Sequence, residues 1–156
     1  MNPATGEVLL IHSACIARAD DGIYLYPKDG GTAPTMLVQA GYGAGFVDPS
    51  LTPPSWVSDG SGFIFVGRTE VDRGGTTEVS VSLFVYDMES GDIVPIIIPD
   101  PDEDVRAAAI APDASAIVYC LSHGSNALDL HLVDLTTDPA TDSPMTTDGK
   151  SCYPTF

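Results

Sequence analysis

The sequence repeats itself, and this repeat constrains the fold more than any other feature of the chain. The segment PPSWVSDGSGFIFVG (residues 53–67) aligns without a gap with AAAIAPDASAIVYCL (residues 107–121), so that Asp59 falls on Asp113. Each copy has a short apolar strand, a turn of Asp and small residues, and a second β-rich strand. Because an Asp side chain can bond the backbone of its own turn, the pattern predicts a β-hairpin in each copy.

A second hairpin follows each of these copies. LFVYDMESGDIVPIII (residues 83–98) is typical of strand, turn and strand, and LHLVDL (residues 130–135) begins the equivalent pair. The N-terminal third supplies another copy. IYLYPKDGGTAPTMLV (residues 23–38) aligns with the second hairpin of the middle copy (residues 83–98), and NPATGEVLLIHS (residues 2–13) aligns with residues 111–122. The repeat therefore predicts four antiparallel strands per copy.

The first strand of the N-terminal copy is missing from that end of the chain and occurs at the other end. SCYPTF (residues 151–156) aligns with the opening strand of the middle copy, with Phe156 on Trp56. Met1 falls on the same column, so we expect one composite module built from both ends. The predicted modules of the single domain 1–156 are residues 151–156 plus 1–39, residues 51–98 and residues 105–150.

Three motifs resemble the repeats of TolB-type, WD-like β-propellers. They are W-x-S-D-G at residues 56–60, the degenerate A-P-D at residues 111–113 and the Y-x-x-D/x-G-G second hairpin. The resemblance covers nearly the whole chain and implies an all-β fold of propeller blades, with four antiparallel strands each and the first strand innermost at a central channel. Only the middle copy keeps the full S-D-G turn, and three blades are fewer than the about four to eight of known rings.

The number of blades raises the question of what covers the ends of a three-bladed arc, since exposed apolar sheet invites association. TolB-type propellers characteristically have six blades, so the resemblance implies that two arcs could close a ring. We expect a homodimer with two composite blades, each made from the C-terminus of one chain and the N-terminus of the other. The alternative is that the chain is a fragment of a longer propeller and that the match between its ends is a coincidence.

The charge of the chain restricts its partners. With 22 acidic and 6 basic residues the formal net charge is −16, which repels phosphate backbones and anionic membranes. We expect neither nucleic acid nor membrane as a partner, while a protein or a basic or cationic ligand stays open. The chain lacks both a run of roughly 18 apolar residues and the basic start of a signal peptide.

The three cysteines are Cys15, Cys120 and Cys152, which leave one unpaired in any disulfide scheme. They form no metal-binding pair, so we expect reduced, buried thiols and a cytoplasmic location.

The long connections are expected on one face of the ring, where function tends to lie on a rigid scaffold. These connections are residues 39–51, 68–80, 99–104 and 122–129. The acidic connection 99–104 is either a solvated link or a site for a cation or a basic partner. The candidate binding residues on this face are Arg68, Arg73, Asp100, Asp102, Glu103, Asp104 and His123.

Motifs of catalysis and of cofactor binding are not found. PDPDED lacks the carboxylate spacing and the Gly of a calcium loop, so no metal is expected. Of the histidines, His123 is the candidate ligand, while His131 alternates with Leu130 and Leu132 and is predicted to point outward. Neither a nucleophile elbow nor a nucleotide fingerprint occurs, and no cofactor is expected.

These observations favour a non-enzymatic binding or scaffold module that acts through the long-loop face. The alternative is a propeller enzyme or enzyme-accessory domain, hydrolase- or lyase-associated, with titratable side chains converging on the channel. A lectin-like binder with one site per blade is disfavoured because the loops differ in length and content. A bland channel beneath a patterned loop face would favour a protein partner.

Overall fold

The fold is that of a computed structural model in which residues 1–13, 20–41, 47–50, 52–124 and 127–155 are described. These residues form twelve β-strands. They are β1 (Val8–His12), β2 (Gly22–Tyr26), β3 (Thr35–Gln39), β4 (Asp48–Pro49), β5 (Ser55–Trp56), β6 (Gly62–Asp72), β7 (Thr77–Asp87), β8 (Ile93–Ile97), β9 (Glu103–Ile110), β10 (Ala116–His123), β11 (Ala127–Asp134) and β12 (Thr141–Pro144). Within the described ranges no helix has the length and apolar character needed to cross a membrane.

The strands pair antiparallel in three sheets. The first sheet has the order β1-β2-β3, the second the order β4-β6-β7-β8 with β5 also paired to β6, and the third the order β12-β11-β10-β9. The predicted all-β, antiparallel architecture is confirmed. In the first sheet, no strand of the described residues lies along the second edge of β1.

The three aligned turns fold in the same way. In each turn one backbone amide donates to the carbonyl of the residue five positions later, and the pairs are Asn2 to Glu7 (2.6 Å), Val57 to Gly62 (2.9 Å) and Ala111 to Ala116 (2.8 Å). The carboxylates of Asp59 and Asp113 each accept the amide of a serine two residues later. Ala4 occupies the corresponding position in the first copy, where the Asn2 carboxamide oxygen accepts the amide of Ala4 instead.

The second sheet lies between the other two, with a hydrophobic core on each of its faces. Successive side chains of a strand point to opposite faces, and six residues in a row at the start of β6 are buried. Phe63 and Phe65 pack with the first sheet, at a contact that we call the first seam. Ile64 and Val66 pack with the third sheet, at the second seam.

Residues 68–80, predicted to be a long loop, are instead the far end of the β6–β7 ribbon. The two strands stay paired as far as Asp72 and Thr77, and the Arg73 amide donates to the Thr76 carbonyl at 2.9 Å to close the turn. The reason lies in the local sequence, since T-E-V-D and T-E-V-S alternate β-branched and polar residues, as a half-exposed ribbon requires. Similarly, His123 ends β10 and Glu103 begins β9, so both lie on strands.

The prediction of reduced thiols is wrong for two of the three cysteines. Cys120 and Cys152 form a disulfide with a Cα–Cα distance of 5.1 Å. Tyr119 packs in the second seam, so its neighbour Cys120 points to the opposite, outer face of the third sheet. Counting cysteines could not reveal this pair, because the fold alone brings the C-terminal segment onto that face. The cysteines thus give no support to the predicted cytoplasmic location, and Cys15 lies outside the described residues.

Candidate functional site

An open cavity of about 540 Å³ lies at the second seam, where the β6–β7 ribbon approaches the start of β9. We call it the acidic cavity, since five carboxylates and one guanidinium line it. Five of the seven predicted site residues meet here: Arg73, Asp100, Asp102, Glu103 and Asp104. The ribbon adds Glu78, Val79 and Ser80, which sequence reasoning missed because it interpreted their segment as a loop.

Arg73 ties the ribbon to the acidic segment. Its Nη2 donates to the carbonyl of the buried Pro99, and its Nε lies 3.4 Å from Glu78 Oε2. The bond to Pro99 joins the two walls of the acidic cavity, whereas the ion pair with Glu78 stays within the ribbon. The guanidinium is thereby a structural clamp, and its positive charge is offset by Glu78.

Besides Glu78, two further carboxylates in the acidic cavity have positively charged or titratable partners. Asp104 Oδ2 lies 2.9 Å from Arg106 Nη2, and Glu103 Oε1 lies 2.6 Å from His123 Nδ1. The first pair joins two residues of β9, and the second joins β9 to β10. They orient the two carboxylates and leave them less able to attract another cation.

Asp100 and Asp102 are different. Both residues are exposed, and no cation lies within ion-pair distance of either carboxylate in the part of the chain that the structure describes. The backbone of Asp102 has φ 68°, a left-handed conformation that non-glycine residues rarely adopt. Its carbonyl accepts the Gly124 amide at 3.0 Å. The segment is thereby fixed in a conformation that presents both uncompensated carboxylates to solvent.

His123, on β10, lies between a carboxylate of β9 and a carboxylate of β11. On one side its partner is Glu103, which lines the acidic cavity. On the other side, His123 Nε2 lies 3.9 Å from Oδ2 of the largely buried Asp129. Asp129 Oδ1 in turn accepts the Gly149 amide at 3.0 Å. The predicted ligand His123 therefore has carboxylates on both ring nitrogens, and its ring is a link between strands rather than a free ligand.

His131, predicted to point outward, faces the second seam instead. Its side chain is 14% exposed, and its ring lies 5.2 Å from that of Tyr119. The cause is register, since His131 pairs directly with Tyr119, which faces the second sheet. Burial, followed by the hydrogen bond to Asp142, raises the pKa of Tyr119 well above its ordinary value. Tyr119 therefore stays a neutral donor to Asp142.

The seventh predicted residue, Arg68, does not lie in the acidic cavity. It lines a neighbouring cavity of about 480 Å³, together with Arg106. Sequence reasoning missed Arg106. A single charged residue in the otherwise small and apolar run VRAAAI was the available signal, because such a side chain on an inner strand needs a polar neighbour.

The channel-side cavity has a different character. Its volume is about 500 Å³, and the first strands of two repeats, β5 and β9, line it together with residues near both chain ends. We name it for the central channel that the resemblance implies. No titratable side chain occurs among its described lining residues, and Trp56 packs edge-on against Phe63 at 5.6 Å. Across the described residues, no group of three or more His, Cys, Asp or Glu side chains is arranged to hold a metal ion.

The solved structures that are similar to this chain include two TolB structures. TolB from Acinetobacter baumannii matches with a TM-score of 0.63 and 16% identity over 90% of this chain and 30% of that one. The chain has the TolB-type β-propeller repeat fold. A TolB structure from Agrobacterium tumefaciens matches with a TM-score of 0.61 and 15% identity over 92% of this chain and 43% of that one.

The resemblance predicted from the repeat motifs is thus confirmed at the level of the fold. The chain spans less than half the length of either TolB structure, and the low identity extends the likeness no further than the fold. No protein-family model matches the sequence, and no curated protein matches it.

Proposed function

We propose that the chain is a non-enzymatic binding or scaffold module that binds a cationic ligand, or a basic segment of a partner protein, at the acidic cavity. The observation that carries this proposal is the pair of exposed carboxylates of Asp100 and Asp102, which have no cationic partner among the described residues. Neighbouring charges of one sign in a cavity focus a potential that attracts the opposite charge.

The rigidity of the acidic cavity supports the proposal. Its walls are the end of a long β-ribbon and the first residues of β9, and Arg73 clamps one wall to the other. A preorganised site loses less conformational entropy when a ligand binds. We therefore propose that the predicted long-loop face binds its ligand through the ends of β6, β7 and β9 as well as through the connection that precedes β9.

The channel favours this function over the enzymatic alternative. A channel enzyme needs titratable groups that converge on one point. The described lining of the channel-side cavity consists of small, apolar and hydroxyl side chains with Trp56 packed into its wall. Charge is concentrated on the edge of the second seam instead.

Calorimetry with a tetralysine peptide tests the proposed site. We expect a measurable affinity that weakens as salt is added, because exposed charges are screened. The double variant Asp100→Asn/Asp102→Asn should weaken binding by about tenfold. The matched control is Glu89→Gln/Asp92→Asn, which removes two exposed charges from the β7–β8 turn and should leave the affinity within about twofold. Equal losses in both variants would mean that only the net charge matters and would refute the site.

We also propose that the chain associates with a second copy of itself. The second edge of β1 carries no strand among the described residues, and a free edge is a template for pairing with another chain. The C-terminal segment supplies a candidate strand, because Cys152 fastens it to the outer face of the third sheet. Pro154 and Thr155 there line the channel-side cavity beside β9, as an inner strand of a further sheet would.

Light scattering measures the assembly directly. We expect twice the chain mass of 16.3 kDa, and a variant truncated before residue 151 should have the mass of one chain. A single-chain mass for the intact protein would refute self-association, and it would favour the alternative in which further blades of a longer polypeptide complete the first sheet. A truncated variant that remains a dimer would place the interface elsewhere.

A further inference from the structure

The second cavity of the second seam carries the opposite charge. Two guanidiniums line it, those of Arg68 on β6 and Arg106 on β9, and we call it the basic cavity. Its volume is about 480 Å³. The other polar groups of its wall come from Ser50, Thr52, Ser122 and Tyr153.

Arg68 has no carboxylate within ion-pair distance in the described part of the chain. This is unexpected for a protein with 22 acidic and only 6 basic residues. Arg68 follows Ile64 and Val66 at every second position of an unbroken β6–β7 ladder, so it points toward the third sheet. Two arginines from neighbouring sheets therefore line one cavity. The charge of Arg106 is paired with Asp104, so, among the described residues, Arg68 is the one that brings an uncompensated positive charge to the cavity, and a bound anion would offset it.

Arg106 is held in position before any ligand arrives. Its Nε donates to Ser122 Oγ at 3.1 Å, and its Nη2 lies 2.9 Å from Asp104 Oδ2. A guanidinium has five N–H donors, so the remaining N–H groups are left for a ligand. The fixed fork suits an acceptor with two oxygens.

Backbone groups already use part of the hydrogen-bonding capacity of the hydroxyls that line the basic cavity. The hydroxyl of Ser122 donates to the Asp104 carbonyl, and that of Thr52 donates to the Arg106 carbonyl at 2.9 Å. Ser50 Oγ accepts the Thr52 amide at 3.2 Å, which leaves its own proton for a ligand. Of these three hydroxyls, that of Ser50 is thus the one with a proton left for an oxyanion.

We propose that the basic cavity binds an oxyanion group, a carboxylate or a phosphate, between Arg68 and Arg106. The negative charge elsewhere on the molecule opposes this attraction only weakly, since exposed charges more than about 8 Å away are largely screened at physiological ionic strength. The site stands on the two guanidiniums and their hydrogen bonds, and it does not depend on cation binding in the acidic cavity.

The disulfide forms part of the same wall. Cys152 and Tyr153 line the basic cavity, and the bond from Cys152 to Cys120 fixes this stretch against the third sheet. Reduction should therefore weaken oxyanion binding while it leaves Arg68 and Arg106 in place. This couples the occupancy of the basic cavity to the redox state of the protein.

The test is a titration of the intact chain with inorganic phosphate and, separately, with acetate, at an ionic strength held constant with chloride. The observed signals are the amides of β6 and β9 and the arginine Nε–H groups in ¹H–¹⁵N spectra. We expect saturable shifts with a dissociation constant on the order of 1 mM. Saturation by phosphate alone or by acetate alone would identify the ligand as a phosphate or as a carboxylate. Saturation by both would show that the basic cavity recognises the oxygens that the two anions share.

Variants separate a local contact from the net charge. Arg68→Gln should weaken binding by at least about tenfold, and Arg68→Lys, which keeps the charge but loses the fork, should be intermediate. Lys28→Gln removes one positive charge from an exposed turn and should leave the affinity within about twofold. Shifts that never saturate, or equal losses in Arg68→Gln and Lys28→Gln, would overturn the proposal. Unchanged amide shifts elsewhere in Arg68→Gln verify that the fold is kept.

Discussion

The two seams of the second sheet are built from the same repeat, yet they differ in content. The first seam is aromatic: Phe63 stacks on Tyr86 at 5.0 Å, and Phe65 stacks on Phe84 at 5.5 Å. The second seam has a mainly aliphatic core, in which Tyr119 is also buried, and histidines, arginines and carboxylates lie at the edge of this core. One seam only packs, while the other packs and also presents charge to solvent.

The cause of this difference is the length of the strands. β6 and β7 each run for 11 residues, whereas the strands of the first sheet have 5. The packed part of the ribbon is its first half, where burial is continuous, and its second half extends past the core. Candidate binding residues therefore lie where strands continue beyond what packing requires.

The largest effect is expected from the aromatic seam. Phe63 is fully buried, so Phe63→Ala should lower the free energy of unfolding by about 3–5 kcal/mol. Val79, on the extended ribbon, is 68% exposed, and Val79→Ala should change it by no more than about 0.5 kcal/mol. Urea unfolding measures both variants, and similar losses would show that the two halves of the ribbon are not packed so differently.

The disulfide should have the next largest effect, on the outer side of the third sheet. The bridge joins residues separated by 32 positions, and losing it should cost about 2–4 kcal/mol. Cys152→Ser should therefore lower the free energy of unfolding, and reduction of the unchanged chain should lower it equally. Hydrogen exchange should show lost protection in β10 and β11 and unchanged protection at the first seam. Lost protection at Phe63 would contradict this.

A smaller effect is expected where the turn of the second sheet meets the N-terminal turn. Gly60 has φ 76°, and a Cβ there would lie 2.5 Å from Asn2 Oδ1. Gly30 has φ 64°, with nothing within 4 Å of a Cβ. Gly30→Ala should cost about 1–2 kcal/mol from backbone conformation alone, and Gly60→Ala should cost more. Equal losses in thermal unfolding would mean that the two turns are not in contact.

The smallest effect concerns acid. The side-chain hydrogen bond from Ser61, together with its backbone amide, lowers the pKa of Asp59 below its ordinary value of 3.8, and Ser115 does the same for Asp113. A lowered carboxyl pKa adds stability that is present above the ordinary pKa and is lost as the pH falls through the lowered one. The amide signals of Ser61 and Ser115 should therefore titrate at a pH below 3.8.

The turn of the first sheet provides the control for the acid titration. Its amides bond to the uncharged carboxamide of Asn2, so the amide signals of Ala4 and Thr5 should show no such titration. Parallel titration of all three turns would indicate acid unfolding of the whole chain instead of a local loss.

The sequence predicted the repeat, the antiparallel strands and the TolB-type fold, because these follow from local patterns that each copy carries. It also predicted that Arg73 and residues 99–104 lie on one face of a ring, which stays a prediction. The structure places Arg73 and residues 100–104 around one cavity. The direction of His131 and the Cys120–Cys152 bond depend on register and on distances between remote segments. A local sequence pattern gives neither the register between strands nor the distance between remote segments. The number of blades in the ring and the homodimer stay predictions.

The most direct test of the difference between the seams is to map where a basic ligand binds. Adding the tetralysine peptide to ¹⁵N-labelled protein should shift the amides of Glu78, Ser80, Asp100 and residues 102–104, which line the acidic cavity. The amides of Ser55, Trp56 and the other channel-side residues should not move. Shifts confined to the channel, or no shifts at a concentration of peptide that saturates in calorimetry, would contradict a binding module that acts through the second seam.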